Sequence, residues 1–159
     1  MIKISPKTYL MVCTVDSIVH PDSGKRTAPS AVNWQEIEVY VATAEGLYLY
    51  LPKEHALKMI VNKDIRYLTG KQPFVKDAPV NLIYVADLSK TGNASVEDKN
   101  IFIAADTGFI SQNVYLYCAS AGLATVVRGS IDKDAFGKAM QLKENQKIIL
   151  SQTVGYPKE

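Results

Sequence analysis

The chain has 159 residues, which suits a single domain with one core. Hydrophobic residues make up 47% of the sequence and charged residues 21%, as in soluble globular proteins. The net charge of +2 is too small to indicate a nucleic-acid partner or an anionic membrane surface, and no apolar run is long enough to span a bilayer. We therefore expect one domain over residues 1–159, with neither nucleic acid nor membrane as a partner.

Residues 36–41 alternate in polarity, which predicts a strand with one buried face, formed by Ile37, Val39 and Val41. The turn 43–46 then leads into a second strand as a hairpin, with Gly46 as the turn residue. The segment 52–72 predicts one or two short helices that end near Gly70. Residues 78–88 are apolar on both faces, which favours a central strand.

A long helix is predicted from about residue 96 to residue 121, with Gly122 closing it. Apolar side chains nearly surround it, so it is either central in the domain or buried against a second subunit. Its two apolar stripes are Ile103, Ile110, Val114, Tyr117 and Ala121, and Phe102, Ala105, Phe109, Leu116 and Ala119. A strand at 124–128, a short helix capped by Asp132 and a last strand from residue 146 follow. This mixed order predicts an α+β fold.

The cysteines, Cys13 and Cys118, form no CxxC pair and lie far in sequence from His20 and His55. This spacing argues against a zinc site and against a disulfide framework, so we expect no metal. Cys118 interrupts an apolar helical run and is expected to be a small core residue rather than a nucleophile. The N-terminus has neither a full apolar signal core nor a cleavage site, so we expect a mature, cytoplasmic protein.

The segment 28–35 (APSAVNWQ) places hydrogen-bonding groups just before a buried strand. Pro29 restricts the backbone, and the small neighbouring side chains allow a flat ligand to come close. The side chains of Ser30, Asn33 and Gln35 offer donors and acceptors that match the edge of a heterocycle. The ordinary alternative is a surface turn with an Asx motif.

Two further positions are polar where polarity is costly. Asp106, with Gln112 and Asn113, interrupts the apolar helix and needs a partner from nearby backbone, a second subunit or a ligand. Arg128 precedes Gly129, which could bring a backbone N–H close to a ligand. The alternative there is a turn glycine beside an exposed arginine.

In combination these segments resemble the FMN-dependent nitroreductase family, in its short bacterial branch of nitroreductases and NADH dehydrogenases. TAPSAVNWQEIEVYV is similar to the family's P-S-[AS]-x-N-x-Q segment and the strand after it. AADTGFISQNVYLYCASAGLATVVRGSID is similar to its central helix, A-x-G-L turn and following loop, and IILSQTVGYPK to its last strand. The resemblance covers residues 21–158, and residues 1–20 are divergent or truncated relative to the family.

The resemblance implies a mixed or antiparallel sheet flanked by helices, with the long helix at a homodimer interface. It implies FMN as cofactor, contacted by Pro29, Ser30, Asn33 and Gln35 across the interface and by residues near Asp106. The Arg128–Gly129 loop would lie by flavin N5. Residues 1–20 lack the family's phosphate-binding Arg-x-Ser segment, so Arg26 and Lys158, with Lys25, are expected to contact the phosphate instead.

The implied activity is a ping-pong transfer of electrons from NADH or NADPH, through the flavin, to a nitroaromatic, a quinone or a similar acceptor. Two alternatives stay open. One is a degenerate dimeric module that binds flavin or another small ligand without turnover. The other is a purely structural interaction domain.

Overall fold

A computed structural model describes residues 23–157. Within this part of the chain one six-stranded sheet has the order β3-β2-β1-β4-β6-β5, and every neighbouring pair is antiparallel. The predicted α+β class is confirmed, and the sheet is purely antiparallel. The strands are β1 (Ile37–Ala42), β2 (Leu47–Leu51), β3 (Ala56–Val61), β4 (Val80–Asp87), β5 (Ala124–Arg128) and β6 (Gln146–Gly155).

Two α-helices follow the predicted positions. Helix α1 spans Val96–Ser120; the Ser95 side chain accepts a hydrogen bond from the Asp98 N–H at its start, and Gly122 has a φ of 66° just beyond its end. Helix α2 spans Lys133–Ala139, and the Asp132 carboxylate accepts a hydrogen bond from the Ala135 N–H at 3.0 Å. Local capping groups therefore fix both helices in the chain.

The predicted helices between residues 52 and 72 are wrong in their first half. Residues Ala56–Val61 form strand β3, which pairs with β2, and only the short 3-10 turn Arg66–Leu68 is helical in the second half. The apolar spacing of this segment suits a helix, but pairing with β2 satisfies its backbone groups and covers an otherwise open sheet edge.

The sheet is covered on both faces. Helix α1 packs on the face formed by residues such as Val39, Val41 and Leu82, whereas Phe136 of α2 packs on the opposite face with Tyr40. The prediction that β1 has only one buried face is therefore wrong. Cys118, on the buried side of α1, belongs to the core cluster, as expected.

One side of α1 is left largely exposed by the described residues, 23–157. Ile101, Phe109 and Leu116 are 56%, 47% and 60% exposed, although Ile103, Ile110 and Val114 on its other side are buried. Among residues 23–157, α1 is therefore covered on one side and not on all sides. No helix within residues 23–157 is both long and apolar enough to cross a membrane.

Candidate functional site

The segment before β1 lines a cleft of about 340 Å³. Six of the residues predicted to contact the cofactor or its phosphate meet there, together with Ala28. The lining residues are Lys25, Arg26, Ala28, Pro29, Ser30, Asn33 and Gln35. We call residues 29–35 the 29–35 loop.

The 29–35 loop has an unusual backbone. Val32, Asn33 and Gln35 have φ values of 53°, 55° and 50°, in the left-handed region that side chains other than glycine rarely adopt. Each such residue costs on the order of 1 kcal/mol and persists only where its surroundings hold it. Ser30 helps to stabilise this backbone, because its Oγ accepts a hydrogen bond from the Gln35 N–H at 2.8 Å.

Asp106 attaches the loop to α1. Its Oδ2 accepts a hydrogen bond from the backbone N–H of Ala31 at 2.8 Å, and the side chain is buried. Of the partners considered for Asp106 from the sequence, a nearby backbone group is therefore present. This contact sets the position of the loop relative to the helix.

Glu36 lies directly beneath the loop, and sequence alternation alone did not single it out. It is fully buried, and its Oε2 accepts a hydrogen bond from Ser30 Oγ at 3.3 Å. Burial raises the pKa of Glu36, and the nearby charge of Asp106 raises it further. A carboxyl group in such a place favours its neutral form.

Arg26 places a cation beside the same cleft. Its Nη1 donates to the Ile37 carbonyl at 3.1 Å, while its buried Nε has no hydrogen-bond partner within residues 23–157. Burial lowers the pKa of Arg26, and the charges of Glu36 and Glu38 oppose that shift. Arginine stays protonated at neutral pH, so this side chain offers a charge and a free donor to an anion.

Arg128 lies elsewhere, inside the protein. Its Nε donates to Thr153 Oγ1 at 3.0 Å, its Nη1 to the Thr69 carbonyl at 2.9 Å, and its Nη2 to Asn81 Oδ1 at 2.9 Å. The guanidinium also lies 5.8 Å from the centre of the Phe74 ring, and burial lowers the pKa of Arg128 to about 10. The alternative of an exposed arginine at this turn is therefore wrong, whereas Gly129 is exposed.

A second, larger cleft of about 520 Å³ lies next to this arginine and shares Phe74 and Thr153 with it. None of its lining residues was selected from the sequence as a site residue, and the half-exposure of Phe74 and Tyr156 in this cleft is visible only in the structure. The lining residues are Phe74, Asp77, Ala78, Pro79, Ala124, Thr125, Val126, Thr153, Gly155 and Tyr156. The two clefts have no lining residue in common.

The remaining expectations concern metals and the C-terminus. No group of three or more His, Cys, Asp or Glu side chains within residues 23–157 is arranged to hold a metal ion. The predicted phosphate contact Lys158 lies outside the described residues.

Comparison with known proteins identifies the family. The model of the Nitroreductase family matches residues 10–156, nearly the whole chain. The chain belongs to the nitroreductase family. The match to the family starts before the 29–35 loop and ends at the last strand, so it includes the segments that carried the resemblance in the sequence.

Individual family members support this assignment. A nitroreductase-family protein of Methanocaldococcus jannaschii is 28% identical over 142 residues, which are 83% of this chain and 72% of that protein. A crystal structure of such a protein from Ralstonia eutropha has a TM-score of 0.92 and 36% identity, covering 100% of this chain and 76% of the other. A Desulfovibrio desulfuricans protein solved with FMN has a TM-score of 0.71 and 17% identity over 99% of this chain and 77% of its own, which shows a shared fold alone.

Proposed function

We propose that this nitroreductase-family protein is an FMN-dependent oxidoreductase that takes electrons from NADH or NADPH and acts as a homodimer. The observation that carries the proposal is the cleft of about 340 Å³, where Arg26, Pro29, Ser30, Asn33 and Gln35 meet. Strained backbone, amide side chains and an incompletely paired cation occur together there. The family and the FMN-bound structure of the Desulfovibrio protein support this choice of cofactor.

The residues of the cleft suit FMN chemically. Gln35 Nε2 donates to the Gly24 carbonyl at 2.9 Å and to Asn33 Oδ1 at 3.0 Å, which leaves Gln35 Oε1 to accept from, and the Asn33 amide nitrogen to donate to, the polar edge of a flavin ring. Pro29 and Ala28 offer a small, apolar surface for its plane, and Lys25 and Arg26 bring positive charge for a phosphate. The free donor at Arg26 Nε is the group in this set that a bound anion would satisfy.

A second copy of the chain would complete the site. A volume of about 340 Å³ is at the small end for a cofactor pocket, and the larger cleft beside β5 is separate from it within one chain. The exposed apolar side of α1, with Phe109 and Leu116, is the surface that a partner would cover. We place the 29–35 loop of one protomer opposite the Gly129 turn and the larger cleft of the other.

The chain's own part in the reaction is to bind and to orient. If FMN is bound, it would supply the hydride and electron-transfer chemistry. The loop residues fix one edge of the ring, and Gly129, which has no side chain, leaves room for the nicotinamide and then for a nitroaromatic or quinone acceptor. The buried Arg128 holds this turn from inside rather than contacting the substrate.

The full-length protein tests the proposal directly. We expect it to retain about one flavin per chain, visible in its absorbance spectrum, and to oxidise NADH or NADPH. Asn33→Ala should weaken FMN binding about tenfold or more, because it removes a ligand-facing amide. Asn62→Ala, at an exposed position away from the cleft, is the matched control. A protein that neither binds added FMN nor oxidises either nucleotide would refute the proposal.

One observation favours a second function, a dimeric module that binds flavin without turnover. Two of the three arginines are committed to the protein interior: Arg66 to Asp64 and the Ala78 carbonyl, and Arg128 to its three neutral partners. Among the three arginines, Arg26 alone is then left to bind a phosphate. Saturable FMN binding without nucleotide oxidation would select this function over the enzyme.

A further inference from the structure

Glu36 carries an oxygen whose hydrogen bonding is incomplete. The residue is fully buried, and its Oε1 accepts no hydrogen bond from any donor within residues 23–157. A buried carboxylate oxygen in this state is unfavourable. A proton on the carboxyl would change this oxygen from an acceptor into a donor.

A second carboxyl lines the same cavity as Glu36. Glu36 and Asp106 line the same small cavity, together with Arg26 and Ser30, and Asp106 is 3% exposed. Two ionised carboxylates in one buried cavity repel each other, which favours the neutral form of Glu36. A proton on Glu36 turns Oε1 from an acceptor without a partner into a donor toward Asp106.

Both carboxyls also hold the 29–35 loop directly. Ser30 Oγ bridges Glu36 Oε2 and the Gln35 N–H, whereas Asp106 Oδ2 accepts from the Ala31 N–H. Glu36, just before β1, therefore holds the loop at one point, and Asp106 of α1 holds it at another. The two carboxyls that hold the loop line the same cavity.

We propose that Glu36 retains a proton that its Oε1 directs toward Asp106, and that this proton holds the 29–35 loop in the shape that lines the cleft. Loss of the proton puts a second negative charge into the cavity, so the two attachments are driven apart. The loop then loosens as pH rises. The consequence for FMN binding rests on the function proposed above.

The surrounding charges fix the direction of this effect. Arg26 favours the ionised form of Glu36, but no Arg26 nitrogen lies within 4.0 Å of its carboxylate in the described structure. Glu38 and Tyr50 act on Arg26 rather than on Glu36, and Lys25 is exposed. The effects of burial and of Asp106 on Glu36 outweigh that of Arg26, so the pKa of Glu36 lies above its ordinary value. Glu36 therefore keeps its proton to a higher pH than an ordinary glutamate does.

Trp34 reports on the loop without any ligand. It is the only tryptophan of the sequence, and its ring lies edge-to-face with Phe102 of α1 at 5.7 Å. We would titrate the full-length protein without added flavin, following Trp34 emission and the ¹³C signals of the glutamate carboxyls. The Glu36 signal is assigned by its loss in Glu36→Gln.

The expected result is one transition, above the ordinary pKa of glutamate, shared by the Glu36 carboxyl and Trp34. In Glu36→Gln the amide donates permanently to Asp106, so the emission should no longer change in this range. In Asp106→Asn the new amide can donate to Glu36 and the negative charge at residue 106 is gone. Both changes favour the ionised form of Glu36, so the transition should move to lower pH. Glu38→Gln, two residues farther along the chain in β1, should leave the pH of the transition unchanged. An ordinary pKa for Glu36, or an emission that does not follow it, would overturn the proposal.

Added FMN separates this inference from the proposed function. If both hold, the dissociation constant of FMN rises above the transition by at most about tenfold per pH unit, the limit for one proton, and Glu36→Gln abolishes the rise. If the Glu36 carboxyl signal and the Trp34 emission change at the same pH but FMN does not bind at any pH, the proposed proton on Glu36 is supported and the flavin function is refuted. If FMN binds with an affinity that pH does not change, the flavin function stands and the loop role of the proton is refuted.

Discussion

The backbone N–H of Ala31 donates to the Asp106 carboxylate at 2.8 Å, and so joins two positions that are 75 residues apart in the chain. This contact fixes the 29–35 loop against α1. We expect Asp106→Ala to lower the free energy of unfolding by about 2 kcal/mol, because a buried hydrogen bond to a charged group is lost. FMN binding should weaken as well, as measured by flavin titration.

Asp106→Asn is the control for that substitution, since its amide oxygen can still accept the hydrogen bond from Ala31. It should retain most of the stability and of the FMN affinity. Equal losses in the two variants would show that the Ala31 contact is not what matters at this position.

Arg128 should be important for stability. Arg128→Met removes three donors and leaves Asn81 Oδ1, Thr153 Oγ1 and the Thr69 carbonyl in a buried place. Ser151 still donates to Thr69, and Thr153 to Asn81, which limits the damage. We expect a loss of about 2–4 kcal/mol in the free energy of unfolding, measured by urea denaturation. An unchanged denaturation midpoint would contradict this account of the buried guanidinium.

Gly70 is needed because Arg128 lies against it. A Cβ at residue 70 would overlap Arg128 Nη1 and would come within 2.8 Å of Gln72 Oε1. Gly70→Ala should therefore destabilise the protein by about 1–3 kcal/mol. Gly137→Ala in α2, whose Cβ would make only an ordinary contact, should instead stabilise it by about 0.5–1 kcal/mol. In an Arg128→Met background the cost of Gly70→Ala should fall, as a double-mutant cycle would measure.

The ion pair of Asp64 and Arg66 makes the stability of the protein depend on pH in the acidic range. Arg66 donates to both carboxylate oxygens, and these hydrogen bonds lower the pKa of Asp64 although partial burial opposes the shift. A lowered pKa in the folded state means that the contribution is present above the ordinary pKa of aspartate and is lost as pH falls through the lowered value. Since Asp64 is 41% exposed, the effect should stay below about 1 kcal/mol.

Asp64→Asn tests this pH dependence by urea denaturation at a series of pH values. The variant should be less stable than the parent near neutral pH, and the two should converge toward pH values below the lowered pKa. A difference that stays constant over this range would mean that the charge of Asp64 contributes nothing.

Local signals explain which parts of the fold were predictable. The hairpin at Gly46, the caps of α1 and α2 and the mostly apolar strand β4 are each specified by residues close in sequence. Strand β3 was mispredicted because its apolar spacing suits a helix, and only the pairing with β2, which the sequence does not display, decides its conformation.

The site was predictable in the same uneven way. The residues of the 29–35 loop form a contiguous motif, and they do line one cleft. The environment of Arg128 is built from Thr69, Asn81 and Thr153, which are 59, 47 and 25 residues away, so no local pattern could show it. Glu36 was placed with the polar face of β1, and only the packing of α1 and the loop shows that it is buried.

The exposed apolar side of α1 gives a prediction about assembly. Leu116 is 60% exposed, on the same helix as Phe109, and a second copy of the chain would cover both. Leu116→Glu should therefore convert a dimer into a monomer in sedimentation velocity, because a charge would be buried without a partner at the interface. FMN retention should fall with it, since the proposed site needs both protomers. Met59→Glu, at a 47% exposed position on the edge strand β3, should leave the dimer intact. A parent protein that sediments as a monomer, or a Leu116→Glu variant that remains dimeric, would show that this helix face is not the interface.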